Sequence, residues 1–384
     1  MPVYQVSKER QTKDGRSYFF ICYYKDVQGN LQRKTSKLYM KKTDAKNAEK
    51  KFIAQNKTVV NIKLDLAAQL YLEEKYKTRK ESTGCSYEED YNRHIKPYLG
   101  NLYIDSINVQ TINKWKLEID KNGRKLKYLN GFYNILNGIF KYAVTNLGLE
   151  SNPVELSGRF EKRQDQVIKD TDKLRYITYN QFNEFISVIQ DIMWKTFFYV
   201  LYFTGMRKGE IQALTWHDID FDNNVIIVNK TLTIKTKDEK GYKITTTKNY
   251  KNRKVAMNKT LREQLLLYKN EMTKYTDFSE DWFVFGNDRF LPQTTIDRNK
   301  TYFFKEAGLE EIEITIHEFR HSHVSLLINQ YIDNCSKNHQ EIDTAYFFIM
   351  VANRIGDTVD TMERVYLHLF PSIQKPIINL LDNL

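Results

Sequence analysis

The chain has 384 residues, 41% of them hydrophobic and 28% charged, enough apolar surface for two or three cored domains and too much for a disordered chain. Cys22, Cys85 and Cys335 stand far apart with no Cys-x-x-Cys pair, which argues against a disulfide framework or a cysteine zinc site and fits a reducing cytoplasm. The N-terminus lacks an apolar signal core and no run reaches the roughly 18 apolar residues of a membrane span, so secretion and membrane insertion are disfavoured. The net charge of +11 is uneven: residues 1–57 carry 14 Lys/Arg against 5 Asp/Glu. A basic front points to an anionic partner, nucleic acid first, because neutralising phosphates releases counterions.

In chain order, the aromatic-rich Tyr18 to Tyr24, the turn Gln28-Gly29-Asn30 and the alternating Leu31 to Leu38 predict strands. Thr43 is positioned to cap a following helix whose Ala45, Ala48, Phe52 and Ile53 pack on that sheet. From Leu64 to Thr145 the pattern becomes helical. Leu66 and Leu70, Tyr87 to Tyr98, Thr111 to Ile119, and the series Leu129, Phe132, Leu136, Ile139, Phe140, Ala143 predict four helices of a small bundle. Their aromatic and leucine positions read as core rather than as base-stacking platforms. Asn152-Pro153 is expected to stop the fourth helix, and residues 157–172 to form a linker. Thr178 and Gln181 predict a capping box ahead of Phe182, Phe185, Ile186 and Ile189. Asn224 to Ile234, Tyr242 to Thr247 and Arg253 to Asn258 predict three strands, after which helices run to the end.

Three blocks carry chemistry. Thr204-Gly205-Met206-Arg207-Lys208-Gly209-Glu210 places an arginine at a helix start, with Glu210 one turn on to orient its guanidinium or a nearby backbone group. His317-Glu318-Phe319-Arg320-His321 puts a histidine and an arginine three residues apart, hence on one helical face. The third block runs from Arg354 through Ile355-Gly356-Asp357 to Tyr366-Leu367-His368-Leu369. Two guanidinium forks suit a phosphate whose charge rises during displacement. A histidine can accept a tyrosine proton or hold the phosphate, and a tyrosine relieved of its proton can attack phosphorus. His321 and His323 read as local packing or hydrogen bonding. The same letters also match the zinc-peptidase pattern His-Glu-x-x-His, with Glu341 as a third ligand, but Arg320 would press positive charge towards the metal and Arg207 would go unexplained.

Together the three blocks resemble the tyrosine recombinases, specifically the integrases of phages and conjugative transposons. The resemblance implies an α+β multidomain fold: an arm-type DNA-binding sheet and helix over 1–57, a helical core-binding domain over 58–156, and a mainly α catalytic domain with a small antiparallel sheet over 173–384. It implies site-specific recombination through a 3′-phosphotyrosyl link and a Holliday junction, with Tyr366 as nucleophile nine residues after Asp357. Lys248, in the turn between the second and third predicted strands, would protonate the leaving oxygen; Lys251 and Lys254 stand close enough to compete for that role. Arg10, Arg16, Arg33, Lys34 and Lys37 would be the front module's DNA contacts, on a sheet of a size to enter a major groove.

No cofactor and no metal are implied. The partners would be double-stranded DNA at core and arm-type sites, three further copies in a homotetramer joined through the C-terminal tail, an excisionase and a host DNA-bending protein, in the cytoplasm at the nucleoid. Asp357 departs from the family, which usually reads Leu-Gly-His there. An ionised aspartate cannot donate a hydrogen bond to phosphate; it is protonated, or it orients an arginine or the lysine, or Asn353 donates instead. That departure keeps open a catalytically decayed DNA-binding protein on the same fold, and a type IB topoisomerase would use related chemistry.

Overall fold

In the computed structural model the described residues are 3–7, 10–25, 31–55, 62–121, 123–161, 174–247 and 252–370. They fall into two units, one of residues 1–170 with 235–237 and one of 171–234 with 238–384.

The first unit opens with two antiparallel ribbons. Strand β1 (Tyr4–Gln5) pairs with β2 (Tyr18–Phe19), and β3 (Ile21–Lys25) with β4 (Leu31–Thr35), Cys22 opposite Lys34 and Tyr23 opposite Arg33. Helix α1 (Lys42–Gln55) begins one residue before Thr43, so Thr43 lies inside the helix and is not its cap. Ala45 is buried, and Phe52 meets Phe20 with ring centroids 6.4 Å apart. The other side of the ribbon meets the helical bundle, where Tyr23 packs on the bundle core.

The bundle consists of α2 (Leu64–Thr78), α3 (Glu81–Asp90), α4 (Val109–Asp120) and α5 (Leu126–Asn146). Helix α3 runs on into a π-helical stretch, Tyr91–Gly100, that contains Pro97, a residue with no N–H to donate to the ladder. The periodic face of α5 is buried as a stripe against Ile95, Ile112 and Trp115. Two boundaries differ from expectation. Helix α5 ends at Asn146, and Asn152-Pro153 instead starts a short helix α6 (Pro153–Leu156), the Asn152 side chain accepting from Val154 N at 3.0 Å and Pro153 taking the first helical position. The expected linker is also shorter at its front. Phe160 is buried edge-on to Trp115, Asn130 clamps its backbone, and the Lys116 ammonium donates to the carbonyls of Ser157, Gly158 and Arg159. Residues 162–173 lie outside the described ones.

In the second unit, α7 (Tyr179–Ser187) starts from the Thr178–Gln181 capping box. Helix α8 (Ile192–Thr204) is followed by α9 (Lys208–Gln212). The segment expected as one strand from Asn224 divides at Asn229. Strand β6 (Val225–Val228), which buries Ile226 and Val228, lies between β5 (Ile219–Asp220) and β9 (Arg253–Ala256), whereas β7 (Lys230–Thr233), polar except for Leu232, pairs with β8 (Lys243–Thr246). The apolar alternation of the first half suits a sheet against the core, and the polar second half does not. Helices α10 (Lys259–Met272), α11 (Gln293–Glu306), α12 (Glu318–Lys337), α13 (Thr344–Ile355) and α14 (Val359–Tyr366) complete the unit. Phe182, Phe185, Phe197, Phe198, Phe304 and Phe319 fill its main core, and Val324, Ile328, Phe348, Ile355, Met362 and Tyr366 a second one beneath α13 and α14.

Candidate active site

Two glycines build the frame. Helix α8 stops because Gly205 takes a left-handed conformation, φ 62°, which any other residue would adopt at a cost. Helix α13 stops in the same way at Gly356, φ 69°. Neither site has room for a side chain: a Cβ would lie 2.8 Å from the His323 ring at Gly205 and 2.8 Å from the Arg253 guanidinium at Gly356. Each turn delivers a functional residue and a carbonyl. Gly205 precedes Met206-Arg207, and its carbonyl accepts from Arg320 Nη1 at 2.9 Å; Gly356 precedes Asp357, and its carbonyl accepts from Arg207 Nη2 at 2.8 Å.

Arg207 and Arg320, 113 residues apart in sequence, converge on one atom. Oδ2 of Asp357 accepts from Arg320 Nη2 at 2.7 Å and from Arg207 Nη2 at 3.2 Å. Burial alone would raise the Asp357 carboxyl, but Arg320, the Thr358 N–H and Arg207 hold it below the ordinary carboxylate range. Of the three readings open for Asp357, the orienting of arginines is the one that matches the geometry, with one carboxylate oxygen shared by both guanidiniums; Asn353 is exposed. Arg320 is buried; desolvation, then Arg207, brings it down to about 10, still charged at neutral pH.

Behind the arginines lies Glu210, almost wholly buried. Its carboxylate accepts from the Arg207 backbone N–H at 2.9 Å and from Arg207 Nη1 at 3.2 Å, orienting both groups, and takes a bidentate pair from Arg253 at 3.0 and 2.7 Å. Burial works to raise its carboxyl, but Arg253 and then Arg207 keep it lowered. Nothing in the sequence marked Arg253, one more cation in a basic turn. Arg354 was equally unmarked: its Nη2 donates to the carbonyls of Phe203 and Ala256 and its Nε to His323 Nε2, while His323 Nδ1 meets the Tyr202 carbonyl at 2.8 Å. His323 is thus a fully partnered neutral histidine, driven down to about 3 by burial and by Arg354.

Tyr366 closes α14 with its ring buried, and its hydroxyl lies 2.6 Å from His321 Nδ1. Burial raises the phenol further than Arg320 lowers it, and burial with His317 brings His321 down to about 4. With the phenol protonated and the imidazole neutral, the hydroxyl donates to His321 Nδ1 in the tautomer that carries its proton on Nε2. His317 packs edge-on to His321 at 5.3 Å and makes no side-chain hydrogen bond among the described residues; burial, then Arg320 and Arg207, lower its pKa. Sequence reasoning gave His321 a merely local role and offered His317 the tyrosine proton, whereas the shortest contact joins Tyr366 to His321. Lys248 and Lys251 lie outside the described residues; Lys254 is exposed on β9.

In the front module Arg10, Arg16, Lys34 and Lys37 are exposed, with Arg16 paired to Asp14 at 2.7 Å. Arg33 is exposed as well. It lines a narrow cleft with Tyr4, Tyr23, Glu73, Glu74 and Tyr142, so two carboxylates share its surroundings.

The zinc reading finds no third ligand: no group of three or more His, Cys, Asp or Glu among the described residues is placed to hold a metal. Residues 175–336 match the Phage integrase family, and residues 67–117 match the phage integrase N-terminal SAM-like domain. The ICEBs1 integrase of Bacillus subtilis (strain 168) is 31% identical over 304 residues, 76% of this chain and 75% of the relative. The chain belongs to the phage integrase family. It is an integrase, a tyrosine site-specific recombinase of the phage and conjugative-transposon type, and neither the zinc-peptidase nor the decayed reading is supported. The fold agrees. The Tn1549 transposon integrase in complex with a circular intermediate DNA superposes with a TM-score of 0.62 at 20% identity, over 83% of this chain and 99% of that one. A lambda integrase tetramer bound to a Holliday junction gives 0.54 at 13% identity, over 97% and 98%. No helix among the described residues is long and apolar enough to cross a membrane.

Proposed function

We propose that this integrase inserts and excises a mobile element by attack of Tyr366 on a DNA phosphate, strand exchange through a Holliday junction, and religation. Tyr366 forms a 3′-phosphotyrosyl bond as the 5′-oxygen departs, so bond energy is conserved and no external energy source is required. Arg207 and Arg320 hold the phosphate through its transition state, and Asp357 and Glu210 hold the two guanidiniums in register. His317, whose ring makes no hydrogen bond among the described residues, is assigned to the phosphate, and Lys248 to the leaving oxygen. The observation that supports this most is the convergence of Arg207 and Arg320 on a single carboxylate oxygen, which is where an anion with phosphate-like acceptors is stabilised.

The wider reading has residues 1–57 on arm-type sites through Arg10, Arg16, Lys34 and Lys37, residues 58–156 and the catalytic unit on core DNA, and four copies on a junction, in the cytoplasm, with an excisionase and a DNA-bending protein as partners. The relatives' names and the basic front support it. Purified protein mixed with plasmids carrying the gene's own flanking DNA tests it. Recombinant joints and four-way intermediates are expected from the wild type and neither from Tyr366→Phe. Deletion of residues 373–384 is expected to keep DNA binding and lose concerted exchange. Joints made equally by Tyr366→Phe would refute the reading.

A further inference from the structure

The catalytic unit places two histidines near its tyrosine, and the contacts divide their work. We infer that His321, the residue immediately after Arg320, is the acceptor of the Tyr366 proton and its donor in religation; the inference rests on Tyr366 being the nucleophile. His321 Nδ1 lies 2.6 Å from the Tyr366 hydroxyl, and the hydrogen bond joins α12 to α14 across the floor of the site. His317 sits one turn earlier on the Arg207 and Arg320 side. With His317 on the phosphate, the tyrosine needs a different partner, and His321 already touches the atom that reacts.

The proton accounting closes. As Tyr366 Oη forms its bond to phosphorus, its proton passes to His321 Nδ1, giving an imidazolium; the phosphorus–O5′ bond breaks and the 5′-oxygen takes a proton from the general acid, the role proposed for Lys248. Religation reverses each transfer. The groups facing His321 are Tyr366 from α14, His317 at its side, and Glu318 and Arg320 on its own helix. Glu318 favours the imidazolium while His317 and Arg320 oppose it, and burial opposes it most, so His321 is held neutral and ready to accept. A base weaker than the phenol it serves works only in concert with attack, when the phenol's charge is already passing to phosphorus. A proton parked there is returned readily, as a reversible cleavage requires.

The test is the rate of covalent adduct formation on a nicked suicide duplex spanning the attachment site, measured from about pH 6 to 9. The proteins are wild type, His321→Asn and His317→Asn, each first checked for DNA retention on a native gel. Asparagine at 321 can place its amide oxygen where Nδ1 was and keep the hydrogen bond without taking the proton. The expected result is a flat profile for wild type and His317→Asn. For His321→Asn, a rate lower by about 100-fold near neutrality that climbs about tenfold per pH unit, as hydroxide substitutes for the lost base, is expected. His321→Ala should regain activity with added imidazole. A His321→Asn rate within about threefold of wild type with the same flat profile would overturn the inference, as would hydroxide dependence appearing in His317→Asn alone. If wild type forms no adduct, the assignment of Tyr366 falls and this inference with it; if wild type forms one and His321→Asn matches it, only this inference falls.

Discussion

In the catalytic unit Glu210, Asp218, Lys300 and Arg320, the fully buried charges among the described residues, each have an opposite charge against them, and Arg354 is satisfied by carbonyls and His323. Glu210 lies between Arg207 and Arg253, Asp357 is shared by Arg207 and Arg320, Asp218 meets Lys230, and Lys300 meets Glu313. The front module handles charge the other way. Its cations Arg10, Lys34 and Lys37 are exposed, as is Arg16 with Asp14 beside it, and Oε1 of the buried Glu49 has no hydrogen-bond partner among the described residues. Desolvation pushes that carboxyl up to about 7, with Lys46 offsetting only part. Chemistry on a phosphate needs dipoles and charges fixed before the reaction, and fixing buried charges requires pairing them. Adhesion to a phosphate backbone needs only mobile cations at the surface. The same residue types therefore do different work in the two regions, and substitutions should separate them.

The largest effect is expected at Arg320. Arg320→Ala removes one of the two phosphate forks and leaves Asp357 facing Arg207 alone, and adduct formation should fall by about 10²–10³ or more with DNA retention kept. Next comes Glu210→Gln, which strips the counter-charge from the buried Arg253 and from Arg207. A loss of ~3–5 kcal/mol, or ~10 °C in thermal midpoint by scanning calorimetry, is expected. An unchanged midpoint would mean that the buried network is not what holds the site together. Asp357→Ala removes the shared acceptor but neither guanidinium, so cleavage should slow about 10- to 100-fold; complete loss would put Asp357 in the chemistry itself.

In the front module Lys34→Ala or Lys37→Ala should each lower the log–log salt slope of DNA binding by about 0.9 if it removes one phosphate contact, while Arg33→Ala, beside Glu73 and Glu74, should leave the slope unchanged. The smallest effect belongs to Glu49. A carboxyl raised in the fold contributes stability that is full below its unfolded value near 4.5 and lost as pH rises through about 7. Glu49→Gln should therefore raise the first unfolding transition by ~2–4 °C at pH ~8 and leave it unmoved at pH ~4.

How much could be read from the sequence follows the same divide. Arg207, His317, Arg320 and Tyr366 could be singled out because their blocks resemble a known family's motifs, and the helical faces because burial imposes a period. Arg253 and Arg354 were not, since a buried arginine is spelled like an exposed one and only the folded chain shows Glu210 or the Phe203 carbonyl waiting for it. The hydrogen bond from Tyr366 to His321 joins positions 45 residues apart, beyond any local pattern. The division of one expected strand at Asn229 was missed because β-periodicity marks strands without naming their partners. Asp357 looked like a defect in the motif; between two guanidiniums it becomes their common anchor.

The central claim, that Tyr366 is the nucleophile held beside a two-arginine anion site, is tested most directly on a denaturing gel. Wild type and Tyr366→Phe are mixed, in EDTA, with nicked duplexes spanning the gene's own flanking DNA. A covalent adduct from wild type alone, with the linked peptide containing Tyr366 on a 3′-phosphate, is the result expected. An adduct formed equally by Tyr366→Phe, or tight retention of the duplex on a native gel with no adduct from either protein, would contradict the account.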